Sequence, residues 1–263
     1  MVGTSFITRT LVSIAVGAAA VGGTLLAPAA AEAAPATTRV IVMPGQALGG
    51  VSLAPAYGQL VDYLTAQGYP SQLLDLKGED IERDAATIGA TVEKLHKQHP
   101  NDKIALVAHS ISGITSRTYL KLGDGHRLVD TYIAMGTAQY GSPASCTADI
   151  ARENCPGTPF LRKLNAGDDT PGTTKYFGLR NAREYADGHL DGGQCRVTPM
   201  PEVAGVPTDF QHTYEPFDRN AWKLIATSLG GTCKGTYVDD PDGKLTARGS
   251  MLPDAPMYRE YRG

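Results

Sequence analysis

The segment Lys103–His109 reads KIALVAH, an uninterrupted apolar run from Ile104 to Ala108 between one charged and one polar residue. A strand that is apolar at successive positions, not at alternate ones, has to be covered on both faces. It belongs in the middle of a parallel sheet with helices on either side, which leaves out antiparallel architectures with one wet face. The surrounding sequence supplies the other layers. Arg39–Met43 (RVIVM) is a β-branched run closed by Pro44-Gly45, and Gln72–Leu76, Val129–Met135, Thr174–Arg180 and Arg196–Met200 are further strand candidates. Between them, Tyr57, Leu60, Val61 and Leu64 repeat at helical spacing until Gly68. Ile81, Ala85, Ile88, Val92 and Leu95 form the stripe of a longer helix that Pro100 ends. Helices over 111–122 and around Trp222, Ile225, Ala226 and Leu229 complete the alternation. The expected fold class is α/β: a mostly parallel central sheet with helices on both faces.

The chain has 263 residues, which at roughly 150 residues per domain allows one large domain or two small ones. Its two ends read differently from the alternating part. Leu11–Leu26 is an apolar run preceded by a single basic residue, Arg9, and followed by Ala31-Glu32-Ala33, the small-x-small pattern of a signal-peptidase site. Residues 1–33 are therefore expected to be a cleaved secretory signal peptide. A membrane anchor is the alternative, but the run is short for a span of about 20 residues. The folded α/β domain is expected over 34–233. Residues 234–263 form a polar tail without a clear period, and Asp240-Pro241-Asp242-Gly243 suits a turn better than a calcium loop. Lys+Arg number 24 against 27 Asp+Glu, with no basic block, so no nucleic-acid partner is expected. The four cysteines, 146, 155, 195 and 233, fit two disulfides in an exported protein. Proximity favours Cys146 with Cys155, leaving Cys195 with Cys233. A zinc site lacks the spacing, and no metal is expected.

The chemistry is concentrated where the buried strand ends, at Ala108-His109-Ser110-Ile111-Ser112-Gly113. A serine between a central strand and a helix sits on a sharp turn with strained backbone angles. The residues two before and two after it must be small, and here they are Ala108 and Ser112 in place of the usual glycines. The turn lifts the serine hydroxyl to the carboxyl edge of the sheet. It also leaves the Ile111 N–H at a helix start, where unpaired amides favour negative charge. A plain helix-capping serine is the competing reading. A second oxyanion donor is expected from the loop Pro44–Gly50, at Gln46. A dinucleotide-binding loop is the rival there, but the order of glycines is wrong for it.

Of six histidines, His212 lies after the last expected strand and before the last helix, the place from which an imidazole can reach over the serine. His109 precedes the serine and is read as structural, and His189 comes too early. The acid that orients the imidazole should follow the strand at 174–180. Glu184 and Asp187 both qualify, with Glu184 slightly favoured, and Asp191 is a distant third.

With these pieces the chain resembles the α/β-hydrolase superfamily, specifically small secreted bacterial lipases and esterases of the class 2 lipase type. The resemblance covers about residues 38–230. It rests on the strand and glycine loop at 40–50, on Ile104–Gly113, on His212, and on Pro156–Asn165 followed by Thr170-Pro171-Gly172. Pro44-Gly45 stands where the family has His-Gly, and Ser112 replaces a glycine. The resemblance implies an α/β-hydrolase fold and a secreted ester hydrolase with Ser110 as nucleophile, His212 as base, Glu184 or Asp187 as acid, and Gln46 and Ile111 as oxyanion donors. It implies no metal or organic cofactor. The expected partner is a small-molecule or lipid ester met by a monomer with no integral membrane association after cleavage. The alternatives are another serine acyl hydrolase (peptidase, thioesterase or polyester depolymerase) and a catalytically silent binding protein of the same fold. The irregular stretch 139–172, clipped by Cys146–Cys155, is expected to form a rigid rim of the pocket.

Overall fold

Successive side chains of a strand point to opposite faces, and in this protein both sets are apolar. Ala105 and Val107 of the central strand pack with Val40, Val42, Ile133 and Phe177 in one buried layer. Ile104, Leu106 and Ala108 pack with Ile41, Met43 and Tyr132 in the other. The computed structural model describes residues 36–47, 51–149, 151–186, 188, 190, 192–200, 207, 210–240, 247 and 250–256. The expected signal peptide and Asp187 lie outside the described residues.

Among these residues one sheet holds seven strands: β1 (Thr38–Met43), β2 (Ser71–Leu73), β3 (Lys103–His109), β4 (Thr131–Met135), β5 (Lys175–Leu179), β6 (Gln194–Val197) and β7 (Thr236–Val238). Their order is β2-β1-β3-β4-β5-β6-β7. All neighbours are parallel except β6 and β7, which run antiparallel with Cys195 opposite Tyr237. The fully buried run of β3 lies third, flanked by β1 and β4. The α/β class and the mostly parallel sheet expected from the alternation are what the structure has.

The helices are α1 (Gly58–Ala66), α2 (Ile81–Gln98), α3 (Ile111–Leu122), α4 (Pro159–Leu164), α5 (Gln211–Tyr214) and α6 (Arg219–Leu229). The stripe Leu60 and Leu64 of α1 joins Ala221, Trp222 and Ile225 of α6 on one sheet face. Ile88, Val92 and Leu95 of α2 and Leu120 of α3 cover the other. Local signals fix the ends. Asp80 caps α2 by accepting from the Arg83 N–H, acidic Glu82 and Asp84 occupy its first turn, and His96 and Lys97 its last. Asp218 caps α6 in the same way, through Asn220 and Ala221.

Three elements differ from expectation, the first being the strand expected over 72–76, which runs from Ser71 to Leu73. The strand expected over 196–200 runs instead from Gln194 to Val197 and gives way to Thr198-Pro199. Part of the polar tail is a strand, because Thr236–Val238 satisfies the free backbone edge of β6. Cys195–Cys233 joins β6 to the approach to β7, and Cys146–Cys155 closes the irregular stretch between β4 and β5.

Candidate active site

Because β3 ends at His109 and α3 starts at Ile111, Ser110 alone makes the turn between them. Its backbone has φ 57° and ψ −124°, a region that costs an L-residue about 1–3 kcal/mol and persists only where the surroundings enforce it. Here β4 does so in part, since the Ser110 N–H donates to the Met135 carbonyl at 2.9 Å. Ser110 holds the cap position of α3, yet its hydroxyl makes no capping bond. The capping explanation of this serine therefore fails. Its Oγ lies 3.1 Å from His212 Nε2 instead.

The departures noted in the sequence have a local purpose. Ser112 is buried and its hydroxyl donates to the Pro44 carbonyl, tying the serine turn to the loop after β1. A Cβ on Gly45 would come 3.0 Å from His109 Nδ1 and 3.4 Å from Ser110 Cβ, so a side chain there would have to displace the His109 ring. The same loop carries Gln46, whose side-chain amide donates to the Gly78 carbonyl at 3.1 Å. Gln46 and Ile111 both line the cavity that opens over Ser110.

His212 sits on the short helix α5, three residues before the buried Glu215. Its Nδ1 lies 2.6 Å from Glu184 Oε2, and the edge of the Tyr185 ring system meets it with centroids 4.9 Å apart. Glu184 is also buried. Its Oε1 accepts from the Asn181 N–H at 3.1 Å, and its backbone carbonyl accepts from the Met251 N–H at 2.6 Å. Burial alone would raise the Glu184 carboxyl. The hydrogen bond from His212 and its charge outweigh that and hold the group below the usual carboxylate range. Of the two acids expected from the sequence, Glu184 lies against the imidazole and Asp187 falls outside the described residues. Gly136, at φ 56°, makes room for this group, because a Cβ there would fall 2.8 Å from His212 Nδ1 and 2.4 Å from Glu215 Oε2.

His109 has both ring nitrogens engaged away from Ser110. Its Nε2 pairs with the His212 carbonyl at 2.9 Å and its Nδ1 with the Tyr57 hydroxyl at 2.6 Å. A carbonyl only accepts, so Nε2 carries the proton and Nδ1 accepts from Tyr57. Tyr57 in turn accepts from the Gly45 N–H at 3.0 Å. Burial, reinforced by the nearby His212, keeps His109 neutral, well below the ordinary histidine range. The chain of bonds Gly45–Tyr57–His109–His212 thus joins the β1 loop to the backbone of His212. Donor atoms of His109, His212 and Glu215 lie within 4.8 Å of one another. With all four imidazole nitrogens already hydrogen-bonded, the trio is a network and not a metal centre.

The cavity over Ser110 measures about 260 Å³, with Leu53, Ile111, Ala138, Ala144 and Phe217 among its apolar walls. A larger one, about 680 Å³, lies along β5–β7 and is lined by Asp168, Lys175, Tyr237 and Asp239. No histidine or serine is among its described lining residues, whereas Ser110 and His212 both line the smaller one. Sequence reasoning missed Glu215 and Asn181. The available signal was an acid one helical turn after His212, followed by a proline at 216.

No family model and no curated protein matches the chain by sequence. Solved structures do resemble it. Aspergillus fumigatus lipase B superposes with a TM-score of 0.57 at 14% identity, over 79% of this chain and 54% of that one. Bacillus licheniformis lipase BlEst2 in its propeptide form gives 0.55 at 15%, over 80% and 53%. Phospholipase PlaB of Legionella pneumophila in complex with thio-NAD gives 0.52 at 12%, over 75% and 63%. The chain thus spans about half the length of the first two. Sheet order and superpositions agree on one architecture, and the chain is a protein of the α/β-hydrolase fold.

Proposed function

We propose that the chain is an exported serine ester hydrolase, of the esterase and lipase kind, that works through a covalent acyl-enzyme on Ser110. The observation that carries this reading is the line Ser110 Oγ–His212 Nε2–Glu184, with spacings of 3.1 and 2.6 Å, at the wall of an apolar cavity. His212 Nε2 takes the hydroxyl proton as Oγ attacks the ester carbonyl. Glu184 holds the Nδ1 proton in place and balances the imidazolium that forms. The N–H groups of Ile111 and Gln46 face the developing oxyanion, and a single such donor is worth about 3–4 kcal/mol in comparable sites. His212 then protonates the leaving alcohol, and a water activated by the same nitrogen releases the acid and restores Ser110. Two disulfides support export, and the substrate in this reading is a small-molecule or lipid ester.

Hydrolysis of p-nitrophenyl esters from acetate to palmitate by the mature protein, beside Ser110→Ala, tests the reading. We expect turnover by the wild type alone. The cavity lies just under the usual range of about 300–1,000 Å³ for ligand pockets, so short acyl chains should be cleaved fastest. A folded wild type no faster than Ser110→Ala on every ester would overturn the proposal and turn the search to peptides, thioesters or a binding role.

The stretch between β4 and β5 supports a fixed rim and not a swinging lid. Cys146–Cys155 closes a nine-residue separation, a constraint worth about 2–3 kcal/mol. The Ser142 N–H donates to the Asn154 carbonyl at 2.9 Å, and Glu153 accepts from the Ile81 N–H at 2.8 Å. The rate on a sparingly soluble ester should accordingly rise smoothly through the solubility limit. A sharp jump at that limit would mean that the rim moves.

A further inference from the structure

Glu215 is a fully buried carboxyl that the reaction above does not use. It lies one turn after His212, and Asn181 ties it to the acid of the site. The Asn181 backbone N–H donates to Glu184 Oε1 at 3.1 Å, while its side-chain Nδ2 donates to Glu215 Oε1 at 2.5 Å. Glu215 Oε2 is 3.6 Å from His109 Nε2, whose proton is already given to the His212 carbonyl. Two carboxyls held side by side out of water cannot both ionise, so one keeps a proton. Glu184 has the imidazole and the Asn181 N–H to stabilise a negative charge. The proton therefore rests on Glu215, whose affinity for it is raised well above normal by burial and by the neighbouring Glu184 charge.

We propose that Glu215 is a positioning residue for the Glu184–His212 pair: as a neutral acid anchored by Asn181, it donates to the Glu184 carboxylate and fixes it against Nδ1. A carboxylate has room for several donors. With Asn181 on one oxygen, His212 on the other and the Glu215 hydroxyl as a third donor, Glu184 has one orientation available instead of a fan of them. A second negative charge at Glu215 would work against this, because it would repel Glu184 and compete for the imidazolium. This role rests on the ester-hydrolase reading, but the state of the Glu215 proton can be measured without a substrate.

The groups facing Glu215 are Glu184, Arg180, His109, His212 and Tyr57. All are shared by the wild type and Glu215→Gln, so a difference between the two proteins reports Glu215. A carboxyl whose affinity for the proton is higher in the folded state supports the fold fully below its unfolded value, near 4.5. That support is lost as the pH rises through the folded value. The melting temperature of Glu215→Gln, which does not titrate, should therefore gain on the wild type as the pH climbs from about 4 to 8. A constant difference would mean that Glu215 ionises normally, and would overturn the proposal.

Kinetics supply the second arm. Glu215→Gln keeps a neutral donor of the same shape, so kcat should stay within about threefold and the acid limb of kcat/KM should not move. A limb displaced to lower pH would show that a charge had been removed, against the proposal. Glu215→Ala removes the donor, and kcat should fall about 10–100-fold with KM unchanged, the size of effect that loose placement of a reacting group produces. A folded Glu215→Ala with wild-type kcat would also overturn it. If that variant does not fold, both measurements on Glu215→Gln still decide. If the wild type cleaves no ester at all, the ester-hydrolase reading fails, and the stability arm still answers for the proton.

Discussion

Glu184→Gln should lower kcat about 10⁴-fold at neutral pH, the loss found where a triad acid becomes an amide and the imidazole takes the wrong tautomer. The geometry says why an amide cannot substitute here. Glu184 accepts on both sides, from His212 Nδ1 at one oxygen and from the Asn181 N–H at the other. An amide has a single oxygen. If it faces Asn181, its NH₂ points at Nδ1, draws the lone pair to that nitrogen and moves the proton to Nε2, which can then no longer accept from Ser110. If it faces His212, an NH₂ is set against the Asn181 N–H. Asp187→Asn should leave kcat unchanged. Steady-state kinetics on an activated ester, with circular dichroism to confirm folding, separates the two acids. A collapse in Asp187→Asn beside an active Glu184→Gln would transfer the role to Asp187.

Arg117→Met should be the most damaging change away from the reacting groups, destabilising the protein by about 3–5 kcal/mol, as breaking a buried ion pair does. Arg117 has no exposed surface. Its guanidinium donates to the Gln139 carbonyl and Asn165 Oδ1, both at 2.7 Å, and to the Leu164 carbonyl at 3.3 Å. It also lies 3.9 Å from the buried Asp169 and 5.3 Å from the centre of the Tyr140 ring. Methionine fills much of the stem's volume but leaves three acceptors and a carboxylate without that donor. For a domain of this size the melting temperature should drop by roughly 10 °C. Arg117→Lys should fall between, since one ammonium cannot reach acceptors spread along the fork. A drop under about 2 °C for the methionine variant would show that the disulfide and the other rim contacts suffice.

What could be read in the sequence were the features that one stretch of chain determines alone. The run Ile104–Ala108 implied burial on both faces, and the small residues around Ser110 implied the turn. The pairing of Cys146 with Cys155 followed from their nearness. What stayed hidden depends on distant partners. β7 is three residues with mostly exposed side chains, and it exists because β6 offers an unpaired edge. Arg117 sits among buried serines, threonines and a glycine on α3, where no apolar stripe marks an inner face. Only the returning chain at 139–169 gives its charge a purpose. Glu215 looks like any acid in a loop until β4 and Asn181 close around it. That Glu184 stands beside His212 likewise depends on the distance from β5 to α5, which spacing along the chain does not contain.

The rim carries one further implication, for how a protein like this changes its diet. Everything placed in the reaction comes from outside the β4–β5 stretch: Gln46 from the first loop, Ser110 and Ile111 from the central turn, Glu184 after β5 and His212 on α5. The rim leaves β4 at Met135 and returns to the adjacent parallel strand at Lys175, which is level with Thr131 at the other end of β4. It has its own internal bridge, and it meets α3 through the Arg117 guanidinium and its ion-pair partner, through the packing of Ile111 and Ile114 against Ala151, Leu161 and Leu164, and through Lys121, which donates to the Gly167 carbonyl at 3.4 Å. If the ester-hydrolase proposal holds, drift or a designer can rewrite the exposed parts of this stretch to admit another alcohol or acid, as long as Arg117 still finds its acceptors and Ile111 and Ile114 keep their apolar neighbours.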